Sequence, residues 1–256
     1  DREVIGLSRR NPSTRDLCFF IEGDPDAILA TELFAGTEEE LEEKIAAFRE
    51  TALGTPACTA CPILRSAAER EAAVDVRKKG LGVILAMTGD EKPAAFVEDA
   101  CAPPDRQAEY VEKVVEACKR RGIRAILYGH ASVGVIHIRP VMNMKDPAHL
   151  RALREIAEVA VDAIKEAGGS WSGEHGDGIA RGAFAERFWG PETVEAFRTV
   201  KRLFDPQGIM NPGRVFDTPA IDENLRYGAA YRASVPKTYF RFEDLGGYAG
   251  AVEMCN

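Results

Sequence analysis

No stretch of the sequence approaches the roughly 18 apolar residues of a membrane-spanning helix. The opening residues, Asp1 to Gly6, also lack the apolar core of a signal peptide, so the expected compartment is the cytoplasm. Basic blocks and Lys/Arg-rich helix faces are missing, and the formal net charge is -8, which removes the electrostatic footprint of a nucleic-acid binder. No G-x-G-x-x-G follows a strand-like run, and there is no phosphate loop. Cysteine is sparse and scattered, with six in all, so a disulfide framework is not expected. Cys58 and Cys61 have the spacing of half a metal site, but without a second pair they read as packing or surface thiols. Histidine is scarcer still, with four.

What is present is the composition of a globular protein: 256 residues, 45% apolar and 29% charged, enough for one large or two small domains. Helices are marked by caps and period. Thr37 and Glu40 form a capping box ahead of Leu41, Ile45, Phe48 and Ala52. Pro104 opens a segment with Ala108, Val111, Val115 and Cys118 on one face, closed by Gly122. Asp146-Pro147 starts a third helix, with Leu150, Leu153, Ile156, Ala160, Ile164 and Ala167 on one face, and a fourth runs from Pro191 to Phe204. Short β-branched or aromatic runs at 17–21, 82–87, 95–98, 123–128 and 135–142 read as strands. Two of the gaps between them, 88–93 and 129–134, are too short for a crossover helix, so the sheet should be largely antiparallel. The expected class is α+β, helices covering one face of that sheet. From Phe216 to Asn256 the chain is rich in Gly, Asp and Arg without sustained period and reads as a connector after a 1–215 domain.

Three of the four histidines fall in two glycine-bearing segments, Gly129 to His137 and Ser172 to Gly178. His130 and His137 would face opposite ways on one unbroken strand, but a turn at Ser132 to Gly134 lets them converge. Two imidazoles and a carboxylate suit zinc or a similar divalent ion with an open position, and Glu174 is the natural third ligand. His175, expected to point elsewhere than its neighbour, is left to act as a general base. Period two puts Arg139 on the face of His137, where a guanidinium suits a carboxylate. Taken singly, each has a plainer reading: His137 as a satisfied core histidine, Arg139 as an exposed strand residue, and His149 as structural. Setting these polar groups into strand interiors and turns without an ion or hydrogen bonds would cost several kcal/mol.

Gly129-His130 through His137-Ile138-Arg139-Pro140, Ser172 to Gly176, Phe204-Asp205-Pro206 and Met210 to Gly213 together resemble the C-terminal domain of FAD-linked oxidases. That group includes D-lactate dehydrogenases, glycolate oxidase subunits and D-2-hydroxyglutarate dehydrogenases. The resemblance implies a ferredoxin-like cap domain that handles a D-2-hydroxy acid. It implies metal ligands at His130, His137 and Glu174, His175 as base, Arg77 and Lys92 holding substrate carboxylates, and Asn211 at the flavin. Lys92 to Asp99 and the ending Glu253-Met254-Cys255-Asn256 are similar to long fused bacterial members. This implies an FAD domain ahead of Asp1 and a [4Fe-4S] module whose first ligand is Cys255. A peripheral link to the respiratory chain at the inner membrane face follows from the same resemblance, with the electron acceptor unspecified. Ser132-Val133-Gly134-Val135 replaces the Gly-Asp-Gly-Asn of many members, and Arg139 stands where the hydroxyglutarate enzymes have an Asn. A zinc hydrolase and a non-catalytic domain with structural histidines are the rival readings.

Overall fold

Three helices carry the first of two compact units, Asp1–Ile84, in the computed structural model, which describes residues 1–254. They are α1 (Arg2–Arg10), α2 (Glu38–Leu53) and α3 (Ala67–Leu85). The α2 cap forms as expected, Thr37 Oγ1 accepting from the Glu40 amide at 3.2 Å, although the Glu40 carboxylate reaches back to Gly36 rather than to Thr37. The strand expected at 17–21 is instead a 3-10 turn, Arg15–Phe20, in which the Cys18 thiol donates to the Thr14 carbonyl. The run at 82–87 also departs from expectation, because most of it completes α3. Fifteen preceding residues rich in Ala, Glu, Arg and Lys propagate the helix through a short apolar end that alone favours a strand. Ile5, Cys18, Ile21 and Val76 form this unit's apolar cluster.

The second unit, Leu85–Asn256, is organised by an antiparallel sheet of order β1-β3-β2. Its strands are β1 (Glu91–Pro93), β2 (Ala125–His130) and β3 (Val135–Asn143). The expected strand at 95–98 does not form, because the backbone there bonds elsewhere. The Glu98 and Asp99 carbonyls are taken by the His137 ring and the Gly173 amide. Two helices, α4 (Gln107–Lys119) and α5 (Pro147–Glu166), pack on each other and on one sheet face. Asp146 caps α5 through the Ala148 amide, and Ile156, Ala157, Ala160, Val161 and Ile164 are fully buried. The buried stripe of α4 is Tyr110, Val114, Ala117 and Cys118, a rotation from the face expected, because the bulky Tyr110 ring takes the inside position. Beyond α5 come α6 (Ala185–Trp189), α7 (Pro191–Phe204) and, within an otherwise irregular tail, α8 (Gly247–Glu253).

Alternation along β3 separates core from chemistry. Ile136, Ile138 and Met142 enter the helix-covered core, which sends His137 and Arg139 to the opposite face. In the β2–β3 register Tyr128 lies opposite His137 and His130 opposite Val135, so the two histidines are diagonal neighbours on one face. The connection is one 3-10 turn, Ala131–Val133, closed by Gly134 at φ 86°. A Cβ on Gly134 would lie 1.9 Å from the Ala102 carbonyl oxygen. Gly134→Ala is therefore expected to cost roughly 2–4 kcal/mol, combining the left-handed backbone with overpacking. An unchanged urea midpoint would contradict this hairpin geometry.

Candidate functional site

His137 is the most enclosed of the histidines in the cluster, its side chain 5% exposed. Nδ1 lies 2.6 Å from the Glu98 main-chain carbonyl, which can only accept, so Nδ1 carries the proton and Nε2 presents a lone pair. Burial pushes the His137 imidazolium below its ordinary value of 6.5. The unfolded chain thus takes up a proton as pH falls through that value while the folded ring stays neutral. The ring's contribution to stability is intact above pH 6.5 and is lost below it, toward the lowered folded value. In metal-free protein the urea midpoint should fall more steeply below pH 6.5 than in His137→Gln, and parallel curves would refute the assignment.

Glu174 lies at the meeting point. Its Oε1 is 3.3 Å from His137 Nε2 and 3.7 Å from His130 Nε2. Donors about 2.0–2.1 Å from one tetrahedral ion lie about 3.4 Å from each other. Nitrogen, nitrogen and oxygen all fall within 4.8 Å of one another, so the trio fits a single small divalent cation.

The loop bearing Glu174 is held from below by Asp99, which is fully buried. The Asp99 carboxylate accepts from the Glu174 amide at 3.1 Å, the His175 amide at 3.0 Å and the Ser172 hydroxyl, and its own carbonyl accepts from Gly173 at 2.7 Å. Arg181, 5% exposed, sits 3.4 Å from that carboxylate and donates to the Gly176 carbonyl. This anchoring curls the backbone, so His175 does not turn away from Glu174 as its adjacency suggested. His175 Nε2 lies 3.4 Å from Glu174 Oε1, and Nδ1 lies 3.5 Å from Glu98 Oε1.

The remaining expected residues are distributed as follows. Arg139 shares the face of His137, but its guanidinium pairs with the Glu98 carboxylate and donates to the Tyr128 hydroxyl at 2.8 Å. Lys92 pairs with Met142, five positions along β3 from His137, and its ammonium donates to the Met87 carbonyl. Arg77 is in the first unit, on α3. Asn211 stands exposed at φ 47° after a turn whose Ile209 and Met210 amides donate to Asp205 at 3.1 and 2.9 Å. Cys255 lies outside the described residues. His149 has the structural place expected, its ring accepting from the Asn143 amide at 2.7 Å. Glu98, Asp99 and Tyr128 were not singled out by sequence reasoning. The available signal was two adjacent acids inside the apolar string Ala94 to Ala102.

Residues 15–215 match the family model described as FAD linked oxidases, C-terminal domain. The chain is 31% identical to a D-2-hydroxyglutarate dehydrogenase of Haemophilus influenzae over 84% of its own length and 22% of that protein's. It is 30% identical to the Escherichia coli enzyme of the same name, over 87% of this chain and 23% of the relative. A D-lactate dehydrogenase of Archaeoglobus fulgidus is 38% identical over 50% of this chain and 28% of the relative. The chain thus spans less than a quarter of the length of the two hydroxyglutarate enzymes.

Proposed function

The chain belongs to the FAD-linked oxidase family as its C-terminal domain, and from that premise we propose that it binds substrate and metal in a flavin-dependent dehydrogenase that oxidises a D-2-hydroxy acid to the 2-oxo acid. The observation that carries this reading is the convergence of His130, His137 and Glu174 on one point, with His175 beside it. Two imidazoles and one carboxylate favour zinc. Such an ion would polarise the hydroxyl and carboxylate oxygens of the acid, and the family's FAD would supply the hydride acceptor. Nε2 of His175 takes the hydroxyl proton as C2 gives up its hydride and the C2–O bond becomes a carbonyl.

Substrate-carboxylate roles for Arg77 and Lys92, a flavin contact at Asn211, and an iron–sulfur ligand at Cys255 rest on the family resemblance. For Arg139 the geometry favours an internal counter-ion over a substrate clamp. Relatives that carry both D-2-hydroxyglutarate and D-lactate dehydrogenase names support a small 2-hydroxy acid as substrate. The test is turnover of the whole protein with an artificial electron acceptor and paired D- and L-2-hydroxy acids. Oxidation of D-lactate, glycolate or D-2-hydroxyglutarate that is suppressed by chelator is expected, with negligible turnover by the present chain alone. Indifference to every acid in the panel, or robust turnover by this chain without flavoprotein, would contradict the reading.

A further inference from the structure

We propose that Glu98 is a positioning residue that sets the ring orientation and tautomer of both His137 and His175. The inference deepens the dehydrogenase reading: its tautomer argument rests on a cation at Glu174, and its kinetic consequence rests on the proposed reaction. One residue touches three members of the cluster. Its main-chain carbonyl accepts from His137 Nδ1 at 2.6 Å, and its side chain, 9% exposed, pairs with Arg139 through Oε2 and faces His175 Nδ1 through Oε1 at 3.5 Å.

Each ring has two nitrogens, and a partner that can only accept decides which keeps the proton. For His137 that partner is the Glu98 carbonyl, which frees Nε2 toward Glu174. For His175 carboxylates flank both nitrogens: Glu98 and Asp99 on Nδ1, at 3.5 and 3.9 Å, and Glu174 on Nε2, at 3.4 Å. A cation on Glu174 Oε1 takes that oxygen out of competition, so the proton stays on Nδ1 and Nε2 is left bare for the substrate hydroxyl. Arg139, fastened to the Tyr128 hydroxyl, holds the Glu98 carboxylate in place and supplies its counter-charge.

Removing Glu98 alone would strand Arg139 as a buried, unpaired cation, which is commonly enough to unfold a domain. The informative variant is therefore Glu98→Leu combined with Arg139→Met, which replaces the pair by apolar groups of similar volume. Zinc-loaded chain is examined by long-range ¹H–¹⁵N imidazole spectra at a pH where the rings are neutral. In the unaltered chain both rings should be Nδ1–H. In the double variant His137 should remain Nδ1–H, because the main-chain carbonyl persists, while His175 should become mainly Nε2–H, the intrinsically favoured form, because Asp99 at 3.9 Å is beyond hydrogen-bond reach of Nδ1. Glu98→Asp combined with unaltered Arg139 should restore the Nδ1–H form of His175. An unchanged His175 spectrum in the folded double variant would overturn the proposal. In the whole protein the double variant should lower kcat at least tenfold with KM within about twofold. If no 2-hydroxy acid is oxidised, the dehydrogenase reading fails while the tautomer result stands or falls on its own.

Discussion

Asp99→Ala should destabilise the second unit by about 3–5 kcal/mol, the usual cost of leaving a buried charge without its partner. The charge that loses its ion-pair partner is Arg181, whose side chain is 6% exposed and 3.4 Å from the Asp99 carboxylate, leaving it only the more distant field of Asp177. The amides of Glu174 and His175 and the Ser172 hydroxyl lose their acceptor in the same step. Of the bonds that Asp99 makes to this loop only the main-chain one from Gly173 survives, so the loop carrying Glu174 should open at the site before the unit unfolds. The observable is a large fall in urea midpoint, with faster hydrogen exchange at the amides of 173–176. Asp99→Asn keeps an acceptor and should cost less. An unfolding free energy within about 1 kcal/mol of the parent for Asp99→Ala would show that Asp99 does not carry this loop.

His175→Ala acts on rate and spares the fold. The side chain is 46% exposed, so little packing is lost, and the His137 ring takes its hydrogen bond from the Glu98 carbonyl. In the whole protein kcat should fall roughly 10²–10⁴-fold, the range for loss of a general base. Metal content and KM should change little, because the three ligand atoms remain. Loss of metal together with rate would instead make His175 a ligand and return the proton-transfer role to another group.

The helices with a clean cap and a long apolar period were legible from sequence: α2, α5 and α7 begin and end close to where Thr37, Asp146 and Pro191 place them. The β2–β3 hairpin was legible too, because Gly134 marks the turn and the β-branched run at 135–142 marks the strand. Short apolar runs were not. Residues 82–85 take the structure of the helix they end, and at the end of 95–98 Glu98 gives its carbonyl to the His137 ring instead of a ladder, neither of which periodicity over four residues can reveal. The convergence of the proposed ligands His130, His137 and Glu174 was visible because histidine is rare and glycine surrounds them. Glu98 and Asp99 were invisible as site residues because their roles are set by contacts 39 to 82 positions away. Arg139 shows the limit of strand parity. Its face was predictable, but Glu98 and Tyr128 as its partners were not.

The central claim is that His130, His137 and Glu174 form one divalent-metal centre. Calorimetric titration of metal-free chain with zinc, alongside His137→Ala and Glu174→Ala, tests it most directly. One zinc per chain with micromolar or tighter affinity, weakened at least a hundredfold in each variant while circular dichroism is unchanged, is the predicted result. Zinc binding that is absent from the parent chain, or equal in parent and variants, would contradict it.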